Sequence, residues 1–291
     1  MTIVKRVVSE VERVVRKVEG MEALDGPARP LAAAAGRATR PRRVKNALSG
    51  TWLGHPLHPL LTDVPIGSWV AAGVLDLAGG AQAGRAARRL VGFGVLAAVP
   101  TAAAGLSDWS DTYGAEQRVG LVHAAGNVAA LSLQAASYLA RRRGRPGAGA
   151  ALSAAGLGIM AGAAYLGGHL SYTHGVGVNH TAFQEGVADW TGVALLSELA
   201  PDKLVRVMAG GVPVLLVRRG EQVRALSATC VHAGGPLDEG ELVDGCVRCP
   251  WHGSIFRLAD GTAVRGPAAT GQPAWQVRIE GEQVQVRAAR R

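Results

Sequence analysis

The chain has 291 residues, of which 48% are hydrophobic and only 18% charged, with a formal net charge of +9 and a mean hydropathy of +0.16. That balance is too apolar for an ordinary soluble protein of this size. Three cysteines are too few for a disulfide framework and leave the compartment open.

In chain order, Ile3, Val4, Val7, Val8, Val11, Val14, Val15 and Val18 recur at helical spacing among Lys5, Arg6, Arg13, Arg16 and Lys17. This predicts a basic amphipathic helix within residues 1–24, lying on anionic lipid or packed on the C-terminal domain or a partner subunit. Residues 25–53, rich in Ala, Gly, Pro and Arg, read as a flexible tether. Their basic run suits lipid headgroups better than nucleic acid. A charged lead without an apolar secretory segment predicts retention on the cytoplasmic side.

Residues 54–177 read as a four-span membrane domain. Leu90–Ser107, Val119–Ala140 and Gly147–Leu170 carry no formal charge, and each has about the 18 residues needed to cross hydrocarbon. A first span over Leu60–Gly80 holds Asp63 and Asp76 near its interfaces. Gly158 and Gly162 form a small-x-x-x-small pair expected to let helices approach closely. Alternating spans would put His55, His58, His123, His169, His174 and His180 at one membrane face. They are then interfacial or structural residues, or axial ligands to a haem b between His123 and His169, or part of a quinone site with Asn127 and Asp108. Basic residues near the spans give no clear orientation: five (Arg40, Arg42, Arg43, Lys45, Arg118) stand against seven (Arg85, Arg88, Arg89, Arg141, Arg142, Arg143, Arg145) opposite. The N-terminal arm favours the cytoplasm for both flanks.

Residues 178–197 read as a linker and 198–291 as a small all-β domain. Leu204–Val207, Val212–Arg218 and Val223–Ser227 are expected strands, and Gln276–Ile279 with Gln283–Val286 a hairpin around Gly281. The fold class is therefore an all-α four-helix transmembrane bundle followed by an all-β domain.

Within the β domain, Cys230-Val231-His232 is followed after sixteen residues by Cys249-Pro250-Trp251-His252-Gly253. A Cys2His2 zinc site takes the same four ligands. Here, however, each loop supplies one Cys and one His, which suits a dinuclear cluster with Cys230 and Cys249 on one iron and His232 and His252 on the other. Gly234, Gly235, Trp251, Gly253 and Ser254 surround these ligands, and small residues let backbone N–H groups approach bridging sulfides. Cys246 reads as a small buried residue on the strand leading into the second loop.

On these motifs the segment from about Glu198 to Arg287 resembles the Rieske [2Fe-2S] ferredoxins, with CVHAGGPL, CPWHGSIF and a proline loop at Gly266-Pro267-Ala268. Gly235 and Trp251 occupy the places where the Rieske proteins of quinol-oxidising complexes carry a disulfide. Ser254 is kept, but Phe256 replaces the Tyr those relatives use as a second hydrogen-bond donor to the cluster, which implies a potential low in the roughly −150 to +300 mV range. Residues 54–177, through GHPLHP, Asp63, His123, GGH and HGVG, resemble a bacterial family of four-span membrane proteins of unassigned function.

The reading that follows is a membrane-anchored one-electron carrier linking a membrane redox partner, protein or quinone, to a soluble one. Alternatives are a haem- or quinone-using oxidoreductase and a redox sensor. No 2-His-1-carboxylate oxygenase site follows His252, and there is no convincing dinucleotide fingerprint or Walker motif.

Overall fold

A computed structural model describes residues 3–289. Among them are seven α-helices and ten strands: α1 (Ile3–Glu19), α2 (Asp25–Thr39), α3 (Arg42–Ser49), α4 (Leu57–Ala78), α5 (Ala81–Trp109), α6 (Gly114–Arg142) and α7 (Pro146–Tyr172), then β1 (Thr191–Leu195), β2 (Leu204–Ala209), β3 (Val212–Arg219), β4 (Gln222–Ser227), β5 (Glu241–Val243), β6 (Cys246–Arg248), β7 (Ile255–Arg257), β8 (Ala263–Arg265), β9 (Ala274–Glu280) and β10 (Gln283–Ala288). They form two compact units. One holds α1, α2 and α4–α7, and the other holds α3 and every strand.

In the first unit, α4 to α7 are long and apolar enough to cross a membrane. Each packs on its chain neighbours, and α7 closes back on α4. The bundle core takes one buried side chain from each helix: Trp69, Ala98, Ala130 and Met160. Trp69 fits because a Cβ at Gly94 would come within 2.4 Å of its indole, and its Nε1 donates to the Val91 carbonyl at 3.3 Å. Large apolar side chains elsewhere point outward: Leu77 is 91% exposed and Leu96 72%. In water that surface would be a liability; in lipid it is the expected one.

The close helix contacts differ from the expected ones. Added Cβ atoms at Gly158 and Gly162 would meet nothing within 4 Å, whereas one at Gly126 would lie 3.2 Å from Ala163 and one at Gly156 would meet Gln134 at 3.0 Å. At one end Arg141 makes a bidentate pair with Asp76, at 2.7 and 2.5 Å, with the arginine side chain only 3% exposed.

The N-terminal arm packs on this bundle. In α1, Val15 is buried while Val8 and Val14 are exposed, and the helix lies against α6. The side chains of Ile3, Val4 and Val7, part of the expected apolar stripe, lie outside the described residues. The segment expected to be a tether is mostly helical. Ala28, Ala32, Ala35 and Thr39 form a buried stripe along α2, which packs on α5 and α6.

In the second unit a six-stranded antiparallel sheet, ordered β1-β10-β9-β4-β3-β2, is joined by a four-stranded one, β5-β6-β7-β8. Strand β3 is buried on both faces. Val214 and Leu216 enter one apolar cluster with Trp275 and Val286, while Leu215 and Val217 enter the other with Cys230, Cys249 and Phe256. The expected strands coincide with β2, β3, β4 and the β9–β10 hairpin. The expected linker ends in β1, which pairs with β10.

Candidate metal centre

The two ligand loops are six-residue tips with the same internal wiring. In the first, Cys230 N donates to Gly235 O at 2.8 Å and Gly234 N to Cys230 O at 2.9 Å. In the second, Cys249 N donates to Ser254 O at 2.8 Å and Gly253 N to Cys249 O at 3.1 Å. The fifth position must turn back with positive φ, +78° at Gly234 and +71° at Gly253, which only glycine adopts without strain. The first loop follows β4 of the six-stranded sheet. The second caps the β6–β7 hairpin of the four-stranded sheet, whose ladder ends at Arg248↔Ile255.

The loops bring the four ligands together. The Cys230 and Cys249 thiols are hydrogen-bonded to each other, and both residues are buried. The His232 and His252 ring centroids lie 5.0 Å apart. The thiol of Cys230 shares its proton with Cys249, which raises its own pKa and lowers that of Cys249 to about 7. Burial first, then the charges of His252, Lys45 and His180, hold His232 down to about 3. Its imidazole is therefore neutral at physiological pH, as a metal ligand must be. A Cβ at Gly235 would come within 3.0 Å of both the Cys249 sulfur and Trp251. Two cysteines on one side, two imidazoles on the other and glycine at the crowded positions fit a [2Fe-2S] cluster.

Residues that the sequence reading passed over hold these loops. Gln272, 3% exposed, accepts from Val231 N at 3.0 Å and donates to Ser227 O at 2.7 Å and Thr229 O at 2.6 Å. It thereby ties down the entry of the first loop on either side of Cys230. Arg265 donates to Gly253 O at 2.7 Å. Ser254 Oγ accepts from Ala268 N at 3.0 Å, which joins the second loop to the proline loop. A lone Gln or Arg in a polar stretch carries no spacing signal, so only the fold exposes these roles.

The α3 segment belongs here too. Asn46 donates to Val264 O at 3.1 Å and accepts from Gly266 N at 2.9 Å, and Thr51 Oγ1 donates to Ala268 O at 3.0 Å. Lys45, expected at lipid headgroups, is 4% exposed. Cys246 is half-buried on β6, with its sulfur directed 3.8 Å to Asp244 O.

The remaining histidines fall in both units. His180 falls in the β unit, where its N–H bonds Val231 O at 3.0 Å and its ring lies beside Gly234. His55 is in the same unit, with Nδ1 3.0 Å from Pro56 O. In the bundle, His58 Nδ1 is 2.9 Å from Thr101 O and its ring fills the space beside Gly105. His123 Nδ1 meets Ala163 O at 2.7 Å, Asn127 Nδ2 lies 3.2 Å from its Nε2, and its ring rests on Gly167. His169 is two residues beyond Gly167, about 200° around α7, and its Nε2 faces Glu19 instead. His123 and His169 therefore take different hydrogen-bond partners in this bundle.

Comparison with known proteins agrees with this geometry. Residues 189–277 match the family described as Rieske [2Fe-2S] domain, and residues 54–180 the family described as Predicted membrane protein (DUF2231). The β unit is 33% identical over 96 residues to "Biphenyl 2,3-dioxygenase, ferredoxin component" of Rhodococcus jostii, covering 33% of this chain and 90% of the relative. It is 32% identical over 95 residues to "Ferredoxin CarAc" of Metapseudomonas resinovorans, covering 32% and 89%. It is also 38% identical over 98 residues to "Apoptosis-inducing factor 3" of Homo sapiens, covering 34% of this chain but only 16% of that protein. The fold and site define a Rieske iron–sulfur protein. The chain belongs to the Rieske [2Fe-2S] family, with its Rieske domain following a DUF2231 membrane domain.

Proposed function

We propose that this protein is a membrane-anchored electron carrier of the ferredoxin type, passing single electrons between a membrane redox partner and a soluble one. The observation that carries this is the convergence of Cys230, Cys249, His232 and His252 at the tip of a domain otherwise built only to hold them. The bound cluster supplies a one-electron couple. The protein's part is to hold two thiolates and two imidazoles in place and to exclude water from the sulfur side, with Leu237, Val247 and Phe256 buried around Cys230 and Cys249. His232 and His252 form the edge through which electrons leave. The relatives named as ferredoxin components of dioxygenases support a soluble oxygenase as partner. The four apolar helices support anchoring in the bilayer.

The test is stopped-flow oxidation of the reduced, detergent-solubilised full-length protein by a purified Rieske oxygenase component and, separately, by a quinone analogue. Re-oxidation by either on the millisecond-to-second scale, lost in His232→Cys, supports the carrier. Reduction and re-oxidation only by small dyes would point to a redox sensor. Reduced-minus-oxidised spectra of the same sample are expected to show the broad cluster bleach. A sharp Soret band lost in His123→Ala would restore the haem reading.

A further inference from the structure

The carrier reading leaves one cluster of ligating side chains unused. Glu19 is the last residue of α1 and His169 lies in the last turn of α7. Beyond α7 the chain turns sharply, with Thr173 N and His174 N bonding His169 O at 3.0 and 3.3 Å and Val176 N bonding Leu170 O at 2.9 Å. That turn returns His174 to His169, so that the rings meet edge to face with centroids 5.1 Å apart. Oε1 of Glu19 lies 2.8 Å from Nε2 of both. All three ligand atoms fall within 4.8 Å of one another, and the three side chains are 17 to 23% exposed.

Electrostatics favours a cation at this point. The C-terminal end of a helix carries partial negative charge, and two such ends meet here. Glu19 adds a full negative charge where a helix disfavours one. Its backbone is fixed in place: Arg118 donates to the Glu19 carbonyl at 2.7 Å and, in a charge pair, to Asp25 at 2.6 Å. Two imidazoles and one carboxylate converging from one side are the donor set of zinc sites and of non-haem ferrous sites, both of which keep open positions.

We propose that Glu19, His169 and His174 form a mononuclear binding site for a divalent transition-metal ion, zinc or ferrous iron, that fastens the N-terminal helix to the end of the last span. On binding, each imidazole carries its proton on Nδ1 and presents a bare Nε2. The ligands then separate slightly from hydrogen-bonding distance to accommodate bonds of about 2.0–2.2 Å.

The experiment uses tag-free, cluster-loaded full-length protein in detergent. Elemental analysis after dialysis is expected to give one equivalent of zinc, or a third iron beyond the cluster's two, and which metal appears separates the two sources. Cobalt(II) added to metal-stripped, cluster-free Cys230→Ser/Cys249→Ser protein should show ligand-field bands at one equivalent. Glu19→Gln and His174→Ala should each weaken that binding at least tenfold, while leaving the visible spectrum of the cluster unchanged in the wild-type background. If either variant is unstable, His174→Asn supplies the same test. Absence of the cobalt bands, or binding of unchanged strength in the variants, overturns the site.

Discussion

Phe256 shows how one side chain sets the character of the centre. It lies fully buried on β7, paired with Val247 across the hairpin, two residues beyond Ser254, at the place where the resemblance puts a tyrosine hydroxyl in the Rieske proteins of quinol-oxidising complexes. Phe256→Tyr would add a donor that strengthens as the cluster gains negative charge. A hydrogen bond of about 1 kcal/mol corresponds to roughly 40 mV in a one-electron couple. The midpoint potential of Phe256→Tyr, measured by EPR-monitored titration, should therefore rise by about that amount. An unchanged or lower value would mean that the hydroxyl does not reach the cluster. The four side chains that converge at the loop tips were singled out by the sequence because metal chemistry fixes both residue type and spacing. Gln272 was not, because a residue that positions a loop from 41 positions away leaves no local pattern.

At the scale of elements, the spans and the main strands were readable because hydrophobic run length and period-2 alternation are local properties. The helices α2 and α3 were not. Alanine and proline in a basic segment look like a tether until the buried faces they supply, Ala28, Ala32 and Ala35 on the bundle and Asn46 on the proline loop, are seen. The Asp76–Arg141 pair was likewise hidden, since its members are 65 residues apart. Breaking a buried pair on one side leaves an uncompensated charge and costs about 3–5 kcal/mol. Asp76→Asn should therefore lower the unfolding midpoint in detergent markedly. The double variant Asp76→Asn/Arg141→Gln, which removes the orphaned charge, should recover much of the loss. Equal midpoints for wild type and Asp76→Asn would show that the pair is not structural.

For the whole molecule, orientation depends on which charges remain free. Arg141 is neutralised by Asp76, and on the other flank Arg118 is spent on Asp25 while Lys45 is buried. Arg85 and Arg89 near the start of α5, Arg142 at the end of α6, and Arg143 and Arg145 in the connection after it remain exposed. They are opposed by the exposed Lys5, Arg6 and Lys17 of α1, while Arg13 and Arg16 are paired with Glu10 and Glu12. A basic α1 face suits anionic cytoplasmic lipid, and the expectation to be tested is a Rieske domain on that side. A green fluorescent protein fused after residue 291 should therefore glow, and an alkaline phosphatase fused there should be inactive. An active phosphatase would reverse the assignment.

The ligand loops spring from two different sheets, one cysteine and one histidine on each. The metal centre is therefore a rivet between two halves of the β unit as well as an electron site. When iron is scarce, newly made chains would lack the rivet, and the loosened seam between the sheets would be the natural place for a protease to begin. The lifetime of the protein in the cell would then follow its iron supply.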